Sequence, residues 1–149
     1  MTARFGSKAP AWPLPVRRAK TTAARGWFAQ RGRGCRDPRL VRQIIRQRQL
    51  RARFFDGDLF ADPAWDMLLD LTAARAEHGR VSVTSLCIVS GVPPTTALRW
   101  IGQMTDAGLL ERVEDETDRR RAFITLTDKA ADAMARFFSE TAVQAARLV

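Results

Sequence analysis

At Gly108 the hydrophobic spacing of this chain changes from one helical turn to two residues, and that change limits what the chain can fold into. Upstream, Ala97, Trp100, Ile101 and Met104 recur at the spacing that lines one face of an α-helix. Downstream, Ala122, Ile124 and Leu126 alternate with Arg121, Phe123 and Thr125, which is the spacing of a half-buried strand. Leu110–Val113 is a second short extended run, and Glu114 to Arg120 between them is too polar to bury. Two strands around a charged loop predict a hairpin.

The segments around this junction are all helical in pattern. Gly91-Val92-Pro93-Pro94 is a turn, and Pro94 suits the first position of a helix over 94–107. Before it, Val81–Val83 is long enough for a small strand. Ser82 can cap a short helix to about Ser90, with Leu86, Cys87 and Val89 inward. Thr127 caps a last helix to about Leu148, with Ala131, Met134, Phe137, Phe138 and Val143 available for packing. Asp37-Pro38 opens a helix over Arg39–Phe54, with Leu40, Val41, Ile44, Ile45 and Leu50 on one face. Its other face carries Arg39, Arg42, Arg46, Arg48, Arg51 and Arg53, which can meet DNA or pair with Asp56, Asp58, Asp62 and Asp66. Asp62-Pro63 opens a further helix with Trp65, Leu68, Leu69 and Leu71 along its apolar side. It ends near His78-Gly79, where Gly79 suits a left-handed C-cap and His78 reads as a cap or surface group.

Charge is placed unevenly. The net +9 lies within residues 1–36, which hold nine of the 25 basic residues and no acid. Residues 37–149 keep 16 basic and 16 acidic groups and are neutral, so any polyanion they bind must be met by local clustering. Residues 1–38, rich in Arg, Ala, Gly and Pro, read as a disordered basic arm, or as an extension upstream of the true start. Trp12, Trp27 and Phe28 are its large apolar groups. Two cysteines suggest a reducing compartment. Cys87 reads as a small core residue, and Cys35 as a tail thiol or a redox sensor. No apolar run reaches the length of a membrane span, and no secretory signal opens the chain. An Arg-rich, acid-free start can also resemble an organelle transit peptide, without the amphipathic pattern of one. One histidine, no tyrosine, no phosphate-cradling glycine loop and no metal-ligand cluster leave little catalytic material. An enzyme is not expected, nor a cofactor or metal.

Two helices joined by a short turn can place the second in the major groove of a duplex. On the helix over 94–107, Thr95 and Thr96 can bond phosphates or base edges, Arg99 guanine, and Gln103 adenine. An ordinary amphipathic helix with a polar face would look the same. In the hairpin, Arg119, Arg120 and Arg121 can reach the backbone or the minor groove, with Asp118 placed to orient one of them. Glu111, Glu114, Asp115 and Glu116 flank the same tip, so a self-compensating surface hairpin is the alternative.

Residues 79–130 resemble the winged-helix domain of MarR-family regulators. The resemblance rests on VSVTSLCIVSGVPPTTALRWIGQM and DAGLLERVEDETDRRRAFITLTDKA, with Gly108-Leu109 before the wing, Asp118-Arg119-Arg120 within it and Leu126-Thr127 after it. The family's first two helices would correspond to 39–78. Pro93 stands where the family has a hydroxyl cap, Leu98 where a polar contact is common, and Ala130 where glycine is frequent. Only residues 128–149 follow, where the family carries two helices. The resemblance implies a mainly α fold with a small β-hairpin (α+β), a winged helix-turn-helix, within 39–149. It implies a sequence-specific regulator of transcription that binds double-stranded DNA, with helix 94–107 in the major groove and wing 114–121 on the backbone or minor groove. Arg120, buttressed by Asp118, would be the minor-groove arginine, with Arg119 or Arg121 as its substitute. A homodimer, a small-molecule effector and a bacterial cytoplasmic, nucleoid-associated location are further implications; Trp65 and Trp100 can line an effector space or simply pack in the core. A protein–protein adaptor built on the same fold, or a non-specific nucleoid or RNA-binding protein dominated by the arm, are the other readings.

Overall fold

The computed structural model describes residues 37–55, 57–118 and 120–146. The arm, with Cys35 and its aromatic residues, lies outside them, as does Arg119. Five helices and a three-stranded sheet follow in the order α1 (Pro38–Arg51), α2 (Pro63–Ala76), β1 (Val81–Ser82), α3 (Val83–Val89), α4 (Pro94–Asp106), β2 (Leu110–Glu114), β3 (Ala122–Leu126) and α5 (Asp128–Ala146). A 3₁₀ turn over Gly57–Phe60 precedes α2. The architecture is mainly helical with a small antiparallel sheet: a winged helix-turn-helix.

The helix starts follow their capping chemistry. The Asp37 carboxylate accepts from the Arg39 N–H at 2.9 Å, and Asp62 from the Trp65 N–H at 3.3 Å, each before a proline whose missing N–H costs the first turn nothing. Ser82 Oγ accepts from the Ser85 N–H at 3.1 Å. The α1 helix ends at Arg51, three residues before the expected Phe54, and Leu50 is exposed. Its last residues turn into a loop whose Phe54, Phe55 and Leu59 also face outward.

The end of α2 departs from expectation. His78, not Gly79, takes the left-handed conformation (φ 58°), and the Gly79 N–H reaches back to the Ala74 carbonyl at 2.8 Å. This is the six-to-one bond of a Schellman ending shifted by one residue. The glycine therefore donates the closing bond without needing its own conformational freedom. At the end of α4, Gly108 takes that role itself (φ 71°), while the Leu109 N–H bonds the Met104 carbonyl at 2.9 Å.

In the sheet, β3 is central and pairs antiparallel with both neighbours, Val81 opposite Ile124 and Arg112 opposite Ile124. Alternation then turns Ile124 and Leu126 inward, as their spacing predicted. Two apolar clusters form the core. The larger joins Met67, Leu71 and Ala74 of α2 to Leu86, Ala97, Ile101, Met104, Leu110, Ile124 and Leu126. The smaller joins Leu69 and Ala73 of the same helix to Val41 of α1 and to Met134 and Phe138 of α5. So α2 is buried on two sides, rather than along the single apolar side its sequence suggested.

Ion pairs hold α1 to α2. Arg42 donates to Asp70 at 3.1 Å and to Glu77 at 2.8 Å, and Arg48 to Asp66 at 2.5 Å. Two of the α1 arginines are thus paired with acids, although Asp70 and Glu77 are not the acids proposed from the sequence.

Candidate nucleic-acid interface

The turn between α3 and α4 is made by Gly91, whose φ of 66° lies in the region that favours glycine. The Ser90 side chain, 1% exposed, donates to the Cys87 carbonyl at 2.6 Å and fixes the end of α3. Pro93 then enters α4 in an extended conformation, and no side chain caps the first turn. The helix buries Ala97, Ile101, Gly102 and Met104. That burial leaves Thr95, Arg99 and Gln103, at i, i+4 and i+8, on one exposed face, with half-buried Thr96 beside them.

Trp100 belongs to the same outer side. Its spacing from Ala97 and Met104 predicted a core position, yet it is 37% exposed. Its position lies at the edge of the apolar arc, next to Thr96 and Gln103 around the helix. An indole there adds a flat, partly apolar group to the polar face. Sequence reasoning missed it because a spacing of three or four residues fits either edge of the arc.

The wing is organised by its acids. The Asp115 carboxylate accepts from the Thr117 N–H at 2.9 Å and from its hydroxyl at 2.7 Å. The Asp118 carboxylate accepts from the Arg120 N–H at 2.9 Å. Backbone bonds from Arg121 N–H to the Asp118 carbonyl (2.9 Å) and from Asp115 N–H to the Arg121 carbonyl (3.1 Å) close the loop. The Thr117 amide and hydroxyl hold the Asp115 carboxyl below the ordinary carboxylate range, and the charge of Arg80 lowers it further. Asp115 and Asp118 therefore spend carboxylate oxygens on the loop's own N–H and hydroxyl groups. Among the described residues, the Arg120 side chain makes no bond within that network, and Arg121 touches it only loosely.

Asp118 does not hold the Arg120 guanidinium. Among the described residues its guanidinium partner is that of Arg121, at 3.9 Å between exposed side chains, a weak ion pair. Arg120 and Arg121 are both exposed, and Arg119 lies outside the described residues. Thr127, at the far end of the hairpin, locks it to α4: its hydroxyl donates to the Gly108 carbonyl at 2.7 Å and accepts from the Ala130 N–H at 3.2 Å. The end of the α4 helix and the root of the wing are thereby one unit.

Trp65 and Trp100 do not share a space. Trp65 packs edge-on to Phe137 of α5 with centroids 4.9 Å apart, while Trp100 stands on the outer face of α4. An open apolar hollow of about 510 Å³ lies between α3 and α4, lined by Val83, Cys87, Ile88, Val92 and Leu98 among others. Burial pushes the Cys87 thiol up, which keeps it protonated. No helix of the described residues is long and apolar enough to cross a membrane.

Residues 67–130 match the family model described as a winged helix DNA-binding domain. Among solved structures, RV1404 from Mycobacterium tuberculosis is 24% identical with a TM-score of 0.50, covering 58% of this chain and 56% of that one. A MarR family transcriptional regulator from Silicibacter pomeroyi is 23% identical over 74% of this chain and 71% of its own, with a TM-score of 0.48. Wild-type MarR from E. coli is 20% identical over 49% and 50%, with a TM-score of 0.42. The chain thus spans little more than half the length of the first of these structures and half of the third. No curated protein matches it.

Proposed function

We propose that this chain, whose residues 67–130 are a winged helix of the DNA-binding kind, is a transcription regulator that reads duplex DNA with α4 and steadies it with the wing. One observation carries this reading. Thr95, Arg99 and Gln103 line one exposed face of a helix that is tied through Thr127 and Gly108 to an arginine-bearing hairpin. A B-form major groove, about 12 Å wide, admits one helix, and these side chains match base edges in donor and acceptor type. The uncapped first turn of α4 offers backbone N–H groups to a phosphate, with Thr95 and Thr96 beside them. Arg120 and Arg121, with Arg119, are assigned to the sugar–phosphate backbone or the minor groove, where Asp118 serves as a turn former.

The basic arm, whose residues 1–36 carry the whole net charge, is assigned the non-specific share of affinity, because residues 37–149 are neutral. A homodimer completes the reading. Phe137 and Val143, exposed on α5, are its proposed contact, so that two wings would address two half-sites. A small-molecule effector and the absence of catalytic activity belong to the same proposal.

Selection of bound duplexes from a random library tests it. The full chain should enrich a motif with dyad symmetry, and Arg99→Ala should relax one position of that motif by about 1–3 kcal/mol. Absence of salt-sensitive duplex binding would overturn the reading. The hollow beside α4, with Ile88 76% exposed, favours the second reading, a protein–protein adaptor. An adaptor would select no motif, and Ile88→Glu would abolish its protein contact.

A further inference from the structure

Arg80 has no task in the reading above. It stands on the link between α2 and β1, immediately before the edge strand, and its side chain is exposed. Its guanidinium carbon lies 5.4 Å from the centroid of the Phe123 ring. A cation at that range over an aromatic face is attracted by the ring's quadrupole. Phe123 is the second residue of β3, just after the chain leaves the wing. In the sheet register it faces Ser82 on one side and Val113 on the other. These three side chains share the face opposite Ile124, which is buried. Arg80 therefore bridges, from outside the hairpin, the edge strand and the root of the wing.

A second influence is electrostatic and acts at longer range. Asp115 opens the wing, and its carboxylate makes the turn by accepting from Thr117. After those bonds, the positive charge of Arg80 is the next influence keeping that carboxyl ionised. An ionised Asp115 is the better acceptor for the Thr117 N–H and hydroxyl. Arg80 thus touches one limb of the wing through Phe123 and influences the other through charge.

The geometry points to Arg80 as a positioning residue for duplex binding: resting on Phe123 where β3 leaves the wing, it holds the wing at the angle from which its arginines reach DNA. This assignment rests on the DNA-binding reading for its consequence, but its structural half can be tested without DNA.

The test uses the full chain with Arg80→Met, which keeps bulk and loses charge, and Arg80→Lys, which keeps charge and the ring contact. Amide hydrogen exchange is read at Thr117, Arg120 and Arg121, with Ile101 and Leu126 as core references. Arg80→Met should speed the wing amides about tenfold, as one lost charge-assisted contact would, and leave the references unchanged. Arg80→Lys should restore most of the protection. In duplex binding, Arg80→Met should lose about tenfold. That loss should shrink when the wing arginines are already replaced (Arg119, Arg120 and Arg121 to Ala), because Arg80 acts through them. Unchanged wing exchange in Arg80→Met overturns the assignment, as does an equal defect in Arg80→Lys. Losses that simply multiply in the combined variant make Arg80 an independent phosphate contact and also overturn it. If the unmodified chain binds no duplex, the DNA-binding reading fails, and the exchange data still decide whether Arg80 holds the wing.

Discussion

Arg42 reaches two acids that lie 28 and 35 residues further along the chain. Glu77, and after it Asp70, hold its guanidinium charged, and Arg42 in turn draws the Glu77 carboxyl below its ordinary value. Because the Glu77 side chain is 41% exposed and that of Asp70 only 15%, most of the energetic weight falls on Asp70. Arg42→Met should destabilise the fold by about 1 kcal/mol, read as a lower urea midpoint with unchanged slope. The sign of the pH dependence follows from the lowered Glu77 value. The native state binds fewer protons than the unfolded chain, so the stabilisation is present above the ordinary carboxylate range. It disappears as pH falls through the depressed value. Measured from about pH 5 down to pH 3, stability should fall less steeply in Arg42→Met than in the unmodified chain. Backbone conformation gives a second prediction at this scale. Gly108 has φ 71° and open space around it, so Gly108→Ala meets no clash and loses only the left-handed freedom. It should cost about 1–2 kcal/mol in chemical denaturation. Such positions are partly legible in sequence: Gly108 and Gly91 were, whereas Gly79 was misread because the adjoining His78 absorbs the positive φ. The partners of Arg42 were not legible, since no local pattern ties residues so far apart.

At the scale of elements, α4 and the wing divide the proposed task by chemistry. A single cation, Arg99, stands on the exposed face of α4, and the hairpin tip carries the rest. Arg120→Ala and Arg121→Ala should therefore weaken binding to all sequences alike, each lowering the salt slope by about one, while the base preference stays. Competition gel shifts at several salt concentrations check this. The hairpin itself was legible, because alternation over Ala122 to Leu126 has one structural meaning. Its internal bonding was not: from sequence Asp118 looked like a clamp for an arginine side chain, and in the fold it accepts a backbone N–H. Trp100 shows the limit of periodicity at an arc's edge, and Met67, missed among the apolar residues of α2, shows it again. A helix buried on two sides has no polar face to give a period. Leu86 is fully buried where α3 meets that helix, and Leu86→Ala should cost about 2–5 kcal/mol in thermal or chemical unfolding.

At the scale of the whole molecule, the excess basic charge precedes the described residues, whose two apolar clusters meet along α2. Removing the first 36 residues should lower duplex affinity for every sequence by the same factor and flatten the salt dependence, with the selected motif unchanged. Self-association is expected on the other side, at α5, and Phe137→Glu should shift the sedimentation of the chain toward monomer while leaving its helical circular dichroism intact. Between the two lies α2. Met67 and Leu71 look toward α4 and the sheet, Leu69 and Ala73 look toward α1 and α5, and Leu68 touches both groups. A helix without a free side cannot slide past one neighbour while staying in step with the other, because close-packed interiors shift between discrete arrangements rather than deform smoothly. Any partner that re-seats α1 or α5 must then either carry α4 with it or leave a void beside Met67. The molecule is in this sense geared: a shift imposed on α1 or α5 is delivered, in register, to the helix that would read the groove.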